Sequence, residues 1–293
     1  ESDKADVDGL WLDPRTRTPE AYSVNYLRST YTPLIPEAAK DIETLSKALG
    51  GDFSVASRTL DDSRWIVVVD DPQRSVSSHL YDRGTGKVAK LFDHRPALAG
   101  APLQPMQAVE IRTRDGLTMV SYLTLPPGAD TNGDGRPERP VPMVLNVHGG
   151  PWGRDTFGYD PEHQWMANRG YAVLAVNFRS STGFGKAFVN AGDREWAGKM
   201  HDDLLDAVDW AVREKITSAD KVAIYGGSYG GYATLVGLTF TPERFACGVD
   251  IVGPSNLATL LASIPPYWKS FFEDLARRVG DPRTEDGQKL LKD

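Results

Sequence analysis

The pattern of apolar and polar positions divides the chain near residue 103. Before that point, short runs alternate between apolar and polar residues and are separated by turn-forming residues, which is typical of antiparallel strands. Strands are predicted at 9–12, 21–27, 53–60, 64–70, 78–82 and 87–92, with one helix at 38–49. Residues 1–103 are therefore mostly β. Four-stranded units of this kind suit the blades of a β-propeller, and the strand spacing suits a sandwich equally.

After the Pro/Ala/Gly-rich stretch 95–105, strand and helix signals alternate. Strands are predicted at 107–113, 118–125, 141–147, 172–177 and 221–225, the last three being apolar runs fit for a buried parallel sheet. A helix is predicted at 202–214, where apolar residues recur at helical spacing: Leu204, Leu205, Val208 and Val212. Strand, helix and strand in this order predict a doubly wound α/β sheet over residues 104–293.

Composition places the chain among globular proteins, with 40% hydrophobic and 25% charged residues. The net charge of -7 argues against nucleic acid as the main partner, because no basic cluster offers a face for phosphates. No apolar run reaches the length of a membrane span. We expect a soluble protein, either cytoplasmic or secreted/periplasmic, of undetermined oligomeric state. Cys247 is the only cysteine, so no intrachain disulfide is possible, and it is expected to be buried.

No cofactor is predicted, and no histidine–carboxylate cluster has the spacing of a metal site. Residues 130–135 match the first half of a calcium loop, but the closing position that should be glutamate is Val141. We interpret these residues as a surface turn between strands.

The strongest chemical signal lies in residues 221–238. The predicted strand 221–225 leads into the run GGSYGG at 226–231, and an apolar helix follows. This arrangement is a nucleophile elbow, in which a strained turn presents a serine hydroxyl above the sheet of an α/β-hydrolase. The glycines are expected because side chains at their positions would collide with the neighbouring strand and helix. We predict Ser228 as the nucleophile and the backbone N–H of Tyr229 as one donor to the oxyanion.

A second motif supports the first. The predicted strand 141–147 ends in the run HGGP at 148–151, the place where this fold forms the other half of its oxyanion hole. Paired glycines let the backbone approach a developing oxyanion closely, so the N–H of Gly150 is the predicted second donor. An ordinary tight turn is the alternative interpretation of Gly149 and Gly150.

Four runs together resemble the prolyl oligopeptidase family of serine peptidases, especially its acylaminoacyl-peptidase-like and dipeptidyl-peptidase-like bacterial members. They are HGGP (148–151), NFRSSTGFG (177–185), DREWAGKM (193–200) and GGSYGG (226–231). The resemblance implies that residues 1–103 are the closing blades of a propeller, which covers the catalytic domain and admits only short peptides. It also implies an acyl-enzyme on Ser228. The glutamate pair with which strict dipeptidyl peptidases hold a free N-terminus is not evident, which leaves exo- and endopeptidase specificity open.

The triad aspartate and histidine that the resemblance implies should follow the nucleophile. All five histidines precede Ser228, namely His79, His94, His148, His163 and His201. We therefore expect the triad Asp and His to lie outside this chain, which would be a nearly inactive fragment without its general base. His148 is interpreted as shaping the oxyanion loop and His201 as heading a surface helix, while Asp250 remains a weak alternative for the triad acid.

The other candidates are interpreted mainly as structural. Core packing is preferred over a specificity pocket for Tyr267 and Trp268, and packing over substrate contact for Trp152 and Phe184. A buried charge network bracing the site is predicted from four residues, Arg179, Arg194, Glu195 and Asp203. At the level of function, an esterase or other acyl hydrolase is the main alternative to a peptidase. A non-enzymatic binding protein on a hydrolase scaffold and a propeller-type interaction module are the others.

Overall fold

The computed structural model describes residues 3–292, so Glu1, Ser2 and Asp293, which belong to the predicted units 1–103 and 104–293, lie outside the described residues. The first part of the chain forms two antiparallel sheets and one helix. The first sheet has three strands: β1 (Val7–Leu12), β2 (Pro19–Asn25) and β3 (Ser29–Pro33). The second has four strands in chain order: β4 (Asp52–Arg58), β5 (Arg64–Asp70), β6 (Ser77–Asp82) and β7 (Lys87–Asp93). The helix α1 (Pro36–Leu49) lies between the sheets in sequence.

The predicted strands and the predicted helix of this part are confirmed, with ends shifted by up to two residues. The structure adds β3, which the sequence pattern missed because most of its side chains are exposed and show no apolar alternation. Aromatic rings hold the core together. The Trp65 ring packs edge-on against those of Trp11 and Tyr81, with centroids 5.1 Å and 5.5 Å away. The Tyr81 hydroxyl donates to Asp41 of α1 at 2.7 Å, which fixes the helix on the sheet. The assignment of these sheets to a propeller stays a prediction.

The second part is built on one six-stranded sheet in the order β13-β12-β10-β11-β9-β8. Its strands are β8 (Met106–Arg112), β9 (Thr118–Thr124), β10 (Met143–Val147), β11 (Ala172–Val176), β12 (Val222–Gly227) and β13 (Cys247–Ile251). The strands β10 to β13 are parallel, whereas β9 runs antiparallel to both β8 and β11. The predicted strands are confirmed, and the sheet is mixed because the β8–β9 hairpin extends one edge.

Helices pack against both sides of β10, whose successive side chains point to opposite faces of the sheet. The helices of this part are α2 (Pro161–Ala167), α3 (Lys186–Asn190), α4 (Lys199–Arg213), α5 (Tyr229–Phe240), α6 (Leu257–Ser263), α7 (Lys269–Arg278) and α8 (Glu285–Leu290). Val144 packs with Met166 of α2, whereas Leu145 belongs to the cluster that contains Leu204 of α4 and Ala233 of α5. The predicted helix 202–214 is therefore confirmed as α4. Within residues 3–292, no helix combines the length and the apolarity that crossing a membrane requires.

Three expectations about burial are wrong. Cys247 is exposed because it lies on β13, an edge strand that pairs only with β12 among the described strands. Tyr267 and Trp268 are 82% and 53% exposed instead of packed in the core, since they follow the short helix α6 on the surface. His201 is buried in the first turn of α4, so that position does not lie on a surface.

Candidate active site

Ser228 occupies the turn between β12 and α5. Its backbone has φ 56° and ψ -118°, a left-handed conformation that is strained for a residue with a side chain. Hydrogen bonds hold this turn on both sides, because Ser228 N donates to the Ile251 carbonyl at 2.9 Å and Tyr232 N donates to the Ser228 carbonyl at 3.0 Å. The residue itself is exposed. The strand, the turn and the helix therefore form the strained geometry that the elbow motif predicts.

The steric explanation of the elbow glycines is confirmed for Gly226 and Gly230, which pack on β10, but not for Gly227, where an added Cβ would have its nearest neighbour at 3.9 Å. A Cβ atom at Gly230 would lie 2.0 Å from the carbonyl oxygen of Val147, and one at Gly226 would lie 2.6 Å from the same atom. Backbone atoms cannot yield by that much without moving the strand. Only glycine lets the elbow rest directly on the end of the neighbouring strand.

The loop that follows β10 reaches the same edge of the sheet. Val147 is paired with Gly226 in the parallel register of β10 and β12, so the residues after each strand are neighbours. A Cβ atom at Gly149 would lie 3.4 Å from Cβ of Ser228, which places this loop against the nucleophile candidate. Gly150 has φ 125°, a conformation that favours glycine. In the described part of the chain, neither Gly150 N–H nor Tyr229 N–H donates a hydrogen bond. The turn and the loop beside it therefore each contain one backbone N–H that donates no hydrogen bond among the described residues.

A stack of aromatic rings connects the loop after β10 to the elbow. The Phe178 ring lies between the rings of His148 and Tyr229, with centroid distances of 4.5 Å and 5.3 Å, and it is fully buried. Trp196 packs edge-on against Tyr229 at 4.7 Å. This role of Phe178 was not predicted, although its place two residues after β11 in the run NFRSSTGFG was the available signal. The stack links the oxyanion loop to the elbow.

The predicted charge network exists in part. The Arg179 guanidinium donates to Asp203 at 2.7 and 2.9 Å and to Asp115 at 2.9 Å twice, and its bonds to both carboxylates keep its pKa above the ordinary value against the opposing effect of burial. Arg179 N also donates to Asp203 at 2.9 Å. Arg194 and Glu195 do not join this network, since they pair on the surface with Asp286 and Lys199. Asp115 was not predicted because it lies 64 residues before its partner in sequence.

None of the five histidines contacts the Ser228 hydroxyl, which has no hydrogen-bond partner within residues 3–292. His148 uses Nδ1 with the Gly149 carbonyl at 2.8 Å and Nε2 with the Ser181 hydroxyl at 2.9 Å. Burial lowers the pKa of His148 to about 4, so its ring is neutral near pH 7. The interpretation of His148 as a residue that shapes the loop agrees with these contacts.

The side chains of the remaining histidines and of Asp250 form hydrogen bonds with groups other than the Ser228 hydroxyl. His201 shares a hydrogen bond with Thr241, which follows the last turn of α5, whereas Ser228 precedes the first turn. Asp250 accepts from Gly253 N at 2.7 Å and closes the turn after β13. His163 contacts Thr124, and the other two histidines contact serines of the four-stranded sheet. The structure therefore brings Ser228, Tyr229 and Gly150 together and places no general base beside them among the described residues.

Two smaller predictions can be compared with the structure. Phe184 packs against Phe188 and Trp152 packs against the cluster around Leu275, which confirms that these aromatic residues pack. The turn at 130–135 is closed by its own hydrogen bonds, with Asp130 accepting from Gly133 N at 2.7 Å, in agreement with a surface turn. Among residues 3–292, no group of three or more His, Cys, Asp or Glu side chains is arranged to hold a metal ion.

A mixed, doubly wound sheet with a strained serine at the strand–helix turn and glycine-rich backbone from the adjacent strand defines the α/β-hydrolase class. The profile of the prolyl oligopeptidase family matches residues 157–275. The chain belongs to this family.

Two relatives that the chain matches carry the names of dipeptidyl peptidases. It is 60% identical over 291 residues to dipeptidyl aminopeptidase BIII of Pseudoxanthomonas mexicana, covering 99% of this chain and 42% of that protein. It is 45% identical over 257 residues to dipeptidyl peptidase family member 6 of Caenorhabditis elegans, covering 83% and 35%. The acylaminoacyl peptidase structure of Pyrococcus horikoshii has the same fold, with a TM-score of 0.73 at 19% identity over 98% of this chain and 44% of that one. The chain thus spans about two fifths of the length of these relatives.

Proposed function

We propose that the protein is a serine peptidase that hydrolyses short peptides through an acyl-enzyme on Ser228. The observation that carries this proposal is the exposed, strained Ser228 beside the glycine-rich loop after β10, and the amide groups of Tyr229 and Gly150, which donate no hydrogen bond among the described residues, support it. In this mechanism the Ser228 hydroxyl attacks the scissile carbonyl, and the carbonyl oxygen becomes an oxyanion between the two N–H groups. Each such preorganised donor contributes about 3 kcal/mol of transition-state stabilisation.

The proton of Ser228 must pass to a base before the acyl-enzyme forms and then to the leaving amine. The described residues place no imidazole at the serine, and the nearest histidine in the motif, His148, has both ring nitrogens engaged. Residues 3–292 alone are therefore expected to turn over peptides very slowly. Loss of one member of a catalytic triad costs several powers of ten in rate.

The choice of peptides as substrates follows the names of the two relatives, a dipeptidyl aminopeptidase and a dipeptidyl peptidase family member. We also propose that residues 1–103 form propeller blades over a catalytic domain of residues 104–293, which would restrict access to short peptides. The four-stranded antiparallel sheet β4–β7 supports this assignment. An esterase uses the same chemistry and is the second candidate, because elbow and fold do not select the leaving group.

The test uses the protein expressed from its complete reading frame. Turnover of dipeptidyl and acyl-aminoacyl p-nitroanilides is compared with turnover of p-nitrophenyl esters, in the wild type and in Ser228→Ala. The peptidase proposal expects amide hydrolysis that Ser228→Ala abolishes. Ester hydrolysis without amide hydrolysis would favour the esterase. A folded protein without either activity would favour a binding protein on a hydrolase scaffold.

A further inference from the structure

The oxyanion loop, residues 148–155, contains an arginine whose side chain reaches out of the catalytic part of the chain. Arg154 Nη1 donates to the carbonyl of Asn25 at 2.7 Å, and Nη2 donates to the carbonyl of Tyr26 at 3.1 Å. Asn25 ends β2 and Tyr26 begins the turn to β3, so both acceptors belong to the all-β part. One guanidinium group therefore joins the oxyanion loop to a turn 128 and 129 residues away in sequence.

The run NFRSSTGFG (177–185) contacts the same guanidinium from another side. Cζ of Arg154 lies over the Phe184 ring, 4.3 Å from its centroid. A Cβ atom at Gly183 would lie 2.6 Å from Nη1 of Arg154, so a side chain there would displace the guanidinium. Gly183 also has φ 90°, which favours glycine. The glycine and the phenylalanine of this run thus form a contact surface for Arg154.

Short backbone contacts connect Arg154 to the predicted oxyanion donor. Gly153 N donates to the carbonyl of Pro151 at 2.9 Å, so the loop turns back on itself directly before Arg154. A Cβ atom at Gly153 would lie 3.2 Å from the carbonyl oxygen of Gly149. The peptide group between Gly149 and Gly150 carries the predicted donor N–H. A displacement of Arg154 would therefore move a segment that packs against this peptide group.

The turn that accepts from Arg154 is itself held by the catalytic sheet. The side chains of Tyr26 and Leu27 pack with Tyr122 of β9, which is fully buried. The Tyr122 hydroxyl lies 3.4 Å and 3.2 Å from the carbonyl oxygens of Tyr26 and Leu27, to which it donates. The Tyr26 hydroxyl donates to Glu110 of β8 at 2.5 Å. The carbonyl acceptors of Arg154 therefore have defined positions.

The chemistry of the guanidinium suits this task. Its planar group presents donors in fixed directions, so two carbonyl acceptors define its orientation, which a single ammonium group would not do. Burial raises the pKa of the neighbouring Asp155 to about 8 against the opposing effect of the Arg154 charge, so this carboxyl group is mostly protonated at pH 7. Burial and, to a smaller extent, the charge of Arg154 lower the pKa of His148 to about 4. The charge of Arg154 thus acts on the first residue of the oxyanion loop.

We propose that Arg154 is a positioning residue for oxyanion stabilisation, which holds the Gly150 N–H in place by anchoring the oxyanion loop to the carbonyls of Asn25 and Tyr26. This inference rests on the proposed function, because it assumes acyl transfer at Ser228. A displaced donor stabilises the transition state less but leaves substrate binding unchanged, so kcat should fall while KM stays constant.

Steady-state kinetics of the full-length protein with a peptide p-nitroanilide test the proposal. Removal of a whole oxyanion donor costs about 10²–10³ in kcat, so Arg154→Ala, which only displaces one, should lose about tenfold to hundredfold. Its KM should stay within about threefold of the wild type. The inhibition constant of a peptide boronic acid, which forms a tetrahedral adduct with the serine, should rise by the same factor as kcat falls. Arg154→Lys keeps the charge without the planar group and should lose about three- to tenfold in kcat.

Arg169→Ala is the matched control. Arg169 is exposed just after α2 and makes the same two kinds of contact, a hydrogen bond to the carbonyl of Trp165 at 3.2 Å and a cation–π contact with the Trp165 ring at 4.8 Å. This variant removes an equal charge without touching the oxyanion loop. Its kcat and KM should equal those of the wild type.

Hydrogen exchange measured by mass spectrometry tests the anchoring without any turnover. The proteins compared are Ser228→Ala and the double variant Ser228→Ala/Arg154→Ala. Peptides that cover the oxyanion loop and the turn between β2 and β3 should exchange at least about threefold faster in the double variant, because both segments lose a shared contact. Peptides from α4 should exchange at the same rate in both proteins.

Unchanged kcat in Arg154→Ala, an equal loss in Arg169→Ala, or a rise in KM at constant kcat would overturn the proposal, as would unchanged exchange of both segments. If circular dichroism shows that Arg154→Ala does not fold, Arg154→Lys decides, and full activity of that variant is the contradicting result. Turnover that survives in Ser228→Ala, or its absence from the wild type, contradicts the proposed function. The exchange experiment then decides the anchoring by itself.

Discussion

Asp203→Asn is the substitution that most directly tests how the fold supports the candidate site. The Asp203 side chain is fully buried and that of Arg179 is 3% exposed, and three hydrogen bonds of 2.7–2.9 Å join the two residues. Arg179 follows Phe178, whose ring lies between His148 and Tyr229. The pair therefore fixes the segment on which both the oxyanion loop and the elbow rest.

The size of the effect follows from the burial of the pair. Asparagine keeps the shape of Asp203 but removes its charge and turns one acceptor into a donor facing the guanidinium. Removing one partner of a buried ion pair typically costs 3–5 kcal/mol, because the remaining charge is left uncompensated. Asp115, whose side chain is 40% exposed, still holds the guanidinium from the other side. We therefore expect a loss near the lower end, about 3 kcal/mol.

The free energy of unfolding is measured by urea denaturation followed by tryptophan fluorescence. The matched control is Asp202→Asn, because this neighbour in α4 is 40% exposed and pairs with Arg114 on the surface. Exposed pairs contribute at most about 1 kcal/mol. If Asp203→Asn and Asp202→Asn lose the same small amount, the inner pair does not hold this segment and the reasoning is refuted.

Three further predictions concern the elbow and its surroundings. Gly230→Ala should lose at least about 3 kcal/mol of unfolding free energy in the same assay, because its Cβ would lie 2.0 Å from a carbonyl oxygen of β10. The control is Gly84→Ala, whose Cβ would have its nearest contact at 3.6 Å and whose unfolding free energy should stay within about 0.5 kcal/mol of the wild type. Hydrogen bonds from the Arg179 guanidinium lower the pKa of Asp115 to about 2, so its stabilising effect is complete above pH 4 and is lost as the pH falls towards 2. The difference in melting temperature between wild type and Asp115→Asn should therefore shrink over that range, and a constant difference would contradict the assignment. Tyr229→Phe should leave peptide turnover by the full-length enzyme within about threefold, because the proposed donor is the backbone N–H, and a hundredfold loss would instead assign the role to the phenol.

The sequence predicted those elements whose residues alternate or repeat regularly. The strand β5 and the helix α4 were found because one face of each is apolar and buried. The strand β3 was missed since its exposed side chains carry no such pattern. The exposure of Cys247 could not be read from its apolar neighbours, because it depends on which strand lies at the edge of the sheet.

In the candidate site, too, some features could be predicted from the sequence and others could not. Ser228, Tyr229 and Gly150 were predictable because the elbow and the glycine pair are local motifs whose geometry follows from the backbone. Contacts between distant segments were not, since nothing in the run around Arg179 specifies that Asp115 completes its ion pairs. The contact of Arg154 with the carbonyls of Asn25 and Tyr26 likewise arises where two parts of the fold meet.

The most direct test of the central claim is to map the fluorophosphonate adduct on the full-length protein by mass spectrometry. The account predicts a single modified residue, Ser228, and loss of both labelling and peptide turnover in Ser228→Ala. A folded protein that resists the reagent, or an adduct on another serine together with unchanged turnover in Ser228→Ala, would contradict it.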